Sequence, residues 1–188
     1  KIMQYIIVGL GGQGILFTSR ILGEVALKRG ENVIGSEVHG MAQRGGSVIS
    51  HFKIGPYKSP LISAGDADIL LAFDQNEGIR NLHFLNDGGH SVINVHKREV
   101  FQNENLKRYL TRRNISTFLL NGYEILDKHM GGNYLFLNVL LLGAMSALGI
   151  GGVCFEEIEE AVSSLSPAKF REDNLRALEL GRSATSGS

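Results

Sequence analysis

The feature that most constrains this chain lies near its start. A short apolar run, residues 4–8, passes directly into Gly9-Leu10-Gly11-Gly12-Gln13-Gly14 and then into a segment of helical period. Between Ile15 and Arg29, Ile21, Leu22, Val25 and Ala26 recur on one face, with Arg20, Glu24 and Lys28 opposite, so the order is strand, glycine turn, helix. Gly9, Gly11 and Gly14 have the spacing with which dinucleotide-binding turns bring backbone N–H groups and a helix N-terminus up to a phosphate. Gly9, Gly11, Gly12, Gln13 and Gly14 are therefore candidate cofactor-binding positions. The same glycines could equally serve only a tight turn and close helix–strand packing, which needs no ligand. Phosphoryl transfer at this turn is excluded, because Ile15 and Leu16 stand where a nucleotide-hydrolysing loop requires Lys and then Ser or Thr.

Beyond Gly30, which stops the helix, residues 32–36 read as a second strand and residues 37–46 as a loop. Residues 47–54 read as a strand ended by Gly55-Pro56, which suits an antiparallel edge. Apolar runs at residues 68–73, 90–95 and 116–121 are each followed by a segment that can be helical, at about residues 75–85, 104–112 and 123–130. Helical patterns continue at residues 134–148, 155–165 and 167–181. This alternation predicts an α/β fold: a three-layer, Rossmann-like arrangement of a mostly parallel sheet with one antiparallel edge and helices on both faces. With no repeat and no dividing linker, residues 1–181 are expected to form one domain and residues 182–188 a frayed tail. Residues 134–150 are apolar on all sides but short, and Asn138, Gly143, Ser146 and Gly149 interrupt them. They are expected to form a nearly fully buried helix, covered either by the C-terminal helices or by a partner, and not a membrane span.

Composition removes several classes of function. A chain of 188 residues, 43% of them hydrophobic, can bury one substantial core, and its 19 basic and 19 acidic residues give no field favouring nucleic acid or an anionic membrane. The single cysteine, Cys154, closes no internal disulfide and cannot supply the thiolates of an iron–sulfur cluster. It is expected to be a buried structural thiol. The six histidines include no i, i+4 pair with an intervening Glu, so no protein metal site is expected, and no Gly-x-Ser-x-Gly elbow is present. No catalytic residue is assigned. His39 lies in a loop of interest but has no titration partner visible in sequence. The N-terminal residues show no leader pattern, which leads to the expectation of a cytoplasmic protein.

A second loop joins the first as a candidate site. In Glu37-Val38-His39-Gly40-Met41-Ala42-Gln43-Arg44-Gly45-Gly46-Ser47 an arginine stands beside two glycines, just after the second strand. Arg44, Gly45, Gly46 and Ser47 could offer guanidinium, backbone and hydroxyl donors to an anion, or form a solvated surface connection. Glu37, about where a ribose-binding acid follows a dinucleotide turn, keeps open a self-sufficient NAD(P)-dependent oxidoreductase, with Arg44 as a 2′-phosphate partner. Hydride transfer also needs positioned acid–base groups, and no coherent set is present.

Taken together, GLGGQG and SEVHGMAQRGGSV resemble the γ subunit or domain of thiamine diphosphate-dependent 2-oxoacid:ferredoxin oxidoreductases. The Glu-Val-His-Gly-Met-x-Gln-Arg-Gly-Gly form is most similar to the small β subunit of the indolepyruvate enzymes. The similarity continues through SPLISAGDADILLAF at residues 59–73, GNYLFLNVLLLGA at 132–144 and NLRALELG at 174–181. The resemblance implies oxidative decarboxylation of a 2-oxoacid to an acyl-coenzyme A, with electrons passing indirectly to ferredoxin. It places thiamine diphosphate and the iron–sulfur clusters on a large partner subunit. This chain would then be inactive alone and bind no cofactor firmly, with coenzyme A as the ligand its two loops could help to hold. In agreement, the Gly-Asp-Gly thiamine signature is missing: Gly65-Asp66-Ala67 with Asn94 only echoes it.

Overall fold

In the computed structural model, residues 2–40 and 45–187 are described. Six strands form one sheet among them: β1 (Met3–Leu10), β2 (Val33–His39), β3 (Ser47–Ile54), β4 (Ala67–Ala72), β5 (Leu85–Asn94) and β6 (Ser116–Leu120), in the order β2-β3-β1-β4-β5-β6. β1, β4, β5 and β6 pair in parallel, whereas β3 pairs antiparallel with both β1 and β2. The antiparallel pairing is thus confined to one edge of a mostly parallel sheet, as expected. The helices are α1 (Ile15–Lys28), α2 (Gln75–Arg80), α3 (Glu104–Arg112), α4 (Gly122–Met130), α5 (Leu137–Ala147), α6 (Phe155–Leu165) and α7 (Arg171–Ser183).

The pleat of the central strands sorts side chains into two cores. On β1, Tyr5 and Ile7 pack with residues of α1, α5 and α6, while Ile6 and Val8 join Ile62, Leu82 and Phe101 on the other face. Residues 5–8 are completely buried, which is why this strand reads as a continuous apolar run instead of an alternating one. Burying such a side chain stabilises the fold by roughly 1.5–3 kcal/mol.

Two strands extend past their expected limits. β2 runs on through Glu37-Val38-His39 because these residues pair with Ser50, Ile49 and Val48 of β3. β5 begins at Leu85, not near residue 90. Asp87-Gly88-Gly89 has turn composition, but here it accompanies a register shift against β4, with Gly88 at φ 85° and its N–H bonded to Arg113 O.

α5 meets its expectation of burial within the chain itself, with every residue from Leu137 to Ser146 buried. Its close partner is α7. A Cβ on Gly143 would collide with the Leu178 carbonyl, and one on Gly181 with the Leu140 carbonyl, so a glycine on each helix permits backbone-to-backbone approach. α7 continues to Ser183, past the expected boundary at Gly181. Arg182 pairs with Glu179 and lies over the Phe155 ring at 4.0 Å, which anchors the start of the segment expected to fray. Among the described residues, no helix is long and apolar enough to cross a membrane.

Candidate functional site

The glycine turn lies at the C-terminal end of β1, where the chain goes one way along the sheet to β2 and β3, and the other way, from β4, to β5 and β6. Open α/β sheets hold ligands in the crevice at such a switch point. Gly12 and Gly14 take left-handed conformations, with φ of 91° and 77°. Gly14 is the N-cap of α1, which has no side-chain cap and no acidic residue in its first turn. The positive end of the helix dipole is thus not compensated by an N-cap side chain or by an acid in the first turn.

The predicted positions have different roles. Gly11 and Gly12 are exposed, and Gly11 N–H donates to the Gly46 carbonyl at 3.0 Å. Gly45 and Gly46 therefore border the turn directly, and the two loops read separately in the sequence form one surface. Gln13 points inward: its Oε1 accepts the Leu10 N–H at 2.7 Å, and its Nε2 reaches Phe73 O and Tyr123 Oη at 3.4 and 3.3 Å. Gly9 is needed for this, since a Cβ there would sit 2.7 Å from Gln13 Oε1. Gly14 likewise leaves room for Asn138, whose Nδ2 donates to the Gly14 carbonyl at 3.1 Å. Ser47 is not a free donor, because its hydroxyl bonds to Glu77 Oε1 at 2.7 Å. Arg44 lies outside the described residues.

Several residues at this end of the sheet were not anticipated. Asp74 caps α2 by accepting the Glu77 N–H at 2.9 Å, and buried Glu77 binds both Ser47 and Arg80. The Asp-x-x-Glu spacing of Asp74 and Glu77 is a helix-start signal that could have marked them. Asn94, at the end of β5, ties Phe73 O to the Gly122 N–H, at 3.1 and 2.8 Å. Tyr123 has its phenol pKa raised, first by burial and then by the Asp74 carboxylate. Beside Gly14 opens an apolar pocket of about 210 Å³ lined by Phe17, Leu135, Phe136 and Phe170. A helix N-terminus next to an apolar pocket suits a ligand with an anionic end and an apolar one.

Three other readings are decided by position. Glu37 does not adjoin the turn: it aligns with Ser50, and Ser50 with Ile7, so β3 separates it from β1 and it lies two residues back from Gly9. The ribose role has no geometric support. Asp66 precedes β4 while Asn94 ends β5, at opposite ends of parallel strands, so the thiamine echo is not a site. Cys154 is exposed, not buried, because it is the N-cap of α6, with its N–H held by Glu157 Oε2 at 3.0 Å. A backbone hydrogen bond with Glu157 lowers its thiol pKa, but burial and the Glu157 and Glu156 carboxylates outweigh that and leave it raised, the reverse of an activated nucleophile.

Fold and site together define a Rossmann-like α/β protein with a glycine turn at its switch point. The chain belongs to the pyruvate ferredoxin/flavodoxin oxidoreductase family, which it matches over residues 4–184. It is 35% identical to the indolepyruvate oxidoreductase subunit IorB of Archaeoglobus fulgidus, covering 95% of this chain and 93% of that one. It is also 35% identical to the subunit of the same name from Methanothermobacter thermautotrophicus, covering 97% of each. The crystal structure of the keto/oxoacid ferredoxin oxidoreductase γ subunit from Geobacter sulfurreducens superposes with a TM-score of 0.75 at 28% identity, over 99% of both chains. The resemblance read from the two loops is the correct one, and the chain is a subunit-type member of this oxidoreductase family.

Proposed function

We propose that this chain is the small, non-catalytic subunit of a thiamine diphosphate-dependent 2-oxoacid:ferredoxin oxidoreductase of indolepyruvate type, and that its joined loops form part of the coenzyme A site. The observation that supports the second half is the Gly11–Gly46 hydrogen bond, which joins the Gly45–Ser47 segment to the turn before the uncapped start of α1. Gly12, Gly14 and the first turn of α1 would face a phosphate, with Arg44 as the charge partner. The apolar pocket beside Gly14 would take an uncharged part of the same ligand. Thiamine diphosphate and the clusters would supply decarboxylation and electron transfer from the large subunit; the single cysteine of this chain cannot hold a cluster.

The test uses the assembled enzyme. Arg44→Ala removes a charge-assisted contact and should raise the coenzyme A requirement by about ten- to a hundredfold. Decarboxylation followed without coenzyme A should be unchanged. A normal coenzyme A dependence in the assembled variant would return both loops to a packing role. The isolated chain should be colourless and should not oxidise 2-oxoacids with an artificial acceptor until the large subunit is added. Stoichiometric iron in the chain alone, or turnover without the partner, would refute the subunit assignment.

A further inference from the structure

One polar atom in the apolar pocket beside Gly14 is left without a partner. Asn174, near the start of α7, is 5% exposed and lines this pocket. Its Nδ2 donates to Ser166 Oγ at 2.9 Å, while its Oδ1 has no hydrogen-bond partner among the described residues. That oxygen is not sealed in: the unpartnered side-chain atom closed to water among those residues is Glu37 Oε1. The pocket's other amide, Asn138, is engaged at both ends, by the Gly14 carbonyl and the Val139 N–H. A buried acceptor that faces an apolar space calls for a donor. Water answers poorly, because an ordered one takes about two to four polar partners and would find a single open acceptor here.

The walls narrow the choice of donor. Phe17 comes from the first turn of α1, and Phe136 and Phe170 stand edge to face with ring centroids 6.1 Å apart. Aromatic walls of this kind take a flat ring by stacking or edge contact. A cavity of about 150 Å³ takes up benzene, so about 210 Å³ admits a bicyclic ring. Pockets for whole drug-sized molecules run to about 300–1,000 Å³. The surroundings are positive, since the uncapped start of α1 adjoins at Gly14 and Lys169 Nζ lies 4.8 Å from the centre of the Phe170 ring. An N–H-bearing ring on a molecule that carries negative charge a short way off meets all of these demands.

We infer that this pocket binds a flat aromatic heterocycle, with Phe17 and Phe170 against the ring and Asn174 Oδ1 accepting its N–H, while the anion on the same molecule lies at the start of α1. The inference rests on the joined-loop anion site proposed above and names the part of the ligand that the pocket takes. Two sources share this chemistry. One is the adenine of the coenzyme, whose exocyclic amine is the donor, and the other is the indole of an aryl oxoacid, whose ring N–H is.

Calorimetric titration of the assembled enzyme with adenosine 3′,5′-bisphosphate, and separately with indole-3-acetate, tests it. At least one should bind. Leu135→Trp, which fills the pocket from a position 54% exposed, should remove that binding and leave the melting temperature unchanged. Asn174→Ala should weaken it roughly tenfold and erase the preference over the matching probe that lacks the N–H, purine riboside 3′,5′-bisphosphate or 1-methylindole-3-acetate. That preference is a ratio read within one protein, so it stands even if the variant is less stable. Nucleotide binding lost in these variants assigns the pocket to the coenzyme. Indole-3-acetate binding lost instead assigns it to the oxoacid and takes coenzyme A out of this pocket. If neither probe binds, or if the bound one is indifferent to Leu135→Trp or keeps its N–H preference in Asn174→Ala, the pocket inference is overturned. The anion site fails separately, through a normal coenzyme A dependence in Arg44→Ala.

Discussion

Gln13 was legible as a member of the glycine turn, but not as the residue that closes it from within. Its partners Phe73 and Tyr123 are 60 and 110 positions away, and no local pattern encodes a contact of that kind. Gln13→Ala should therefore cost about 1–3 kcal/mol by leaving the Leu10 N–H unmet, a loss readable by urea unfolding. A variant as stable as wild type would mean that the turn holds itself. His51 makes a second residue-scale prediction. It is buried on β3, its Nδ1 accepts the Ile62 N–H at 3.0 Å, and burial followed by the charge of Lys53 lowers its pKa below 6.5. The fold thus favours the neutral ring, and the unfolded chain takes up a proton first as pH falls. The stability this group contributes is complete above pH 6.5 and is lost as pH drops from 6.5 toward the folded pKa. Denaturant titrations at pH 7.5 and 5.5 should show a smaller pH loss in His51→Asn than in wild type. Equal losses in the two proteins would refute this.

At the scale of elements, α5 could be read for what it is, because an all-round apolar segment too short for a membrane has to be buried. Its partner could not. The pairing with α7 depends on Gly143 and Gly181 facing one another, and a lone glycine in a helical pattern ordinarily signals weakness, not contact. Gly143→Ala or Gly181→Ala should destabilise the chain by about 1–3 kcal/mol or more through overpacking, at roughly 2–4 °C of Tm per kcal/mol. An unchanged melting temperature in both would show that the helices can slide apart freely. The extra residues of β2 and β5 escaped for a similar reason. Glu37-Val38-His39 is strand by pairing, not by composition, and Asp87-Gly88-Gly89 is the irregular stretch between the paired residues Leu85 and His90.

For the whole molecule, the alternation of strands and helices was enough to give the three layers and the mostly parallel sheet. What composition cannot convey is strand order. With β3 inserted between β2 and β1, the acid that a dinucleotide fold would place beside its glycine turn stands a strand away. Titration of the isolated chain with NADH should accordingly produce no saturable change in nicotinamide fluorescence. A clear binding isotherm would reopen the nicotinamide reading.

The α5–α7 contact also bears on how the chain is made. During synthesis, α5 leaves the ribosome while α7, which covers it, is still being translated. For that interval α5 has the sheet, α1 and α4 on one side and lacks the α7 backbone on the other, which makes the nascent chain a natural client for chaperones that hold exposed hydrophobic segments. A chain that stalls or is cut before Arg171 would keep α5 uncovered for good, and its fate should be aggregation or degradation instead of a smaller folded product.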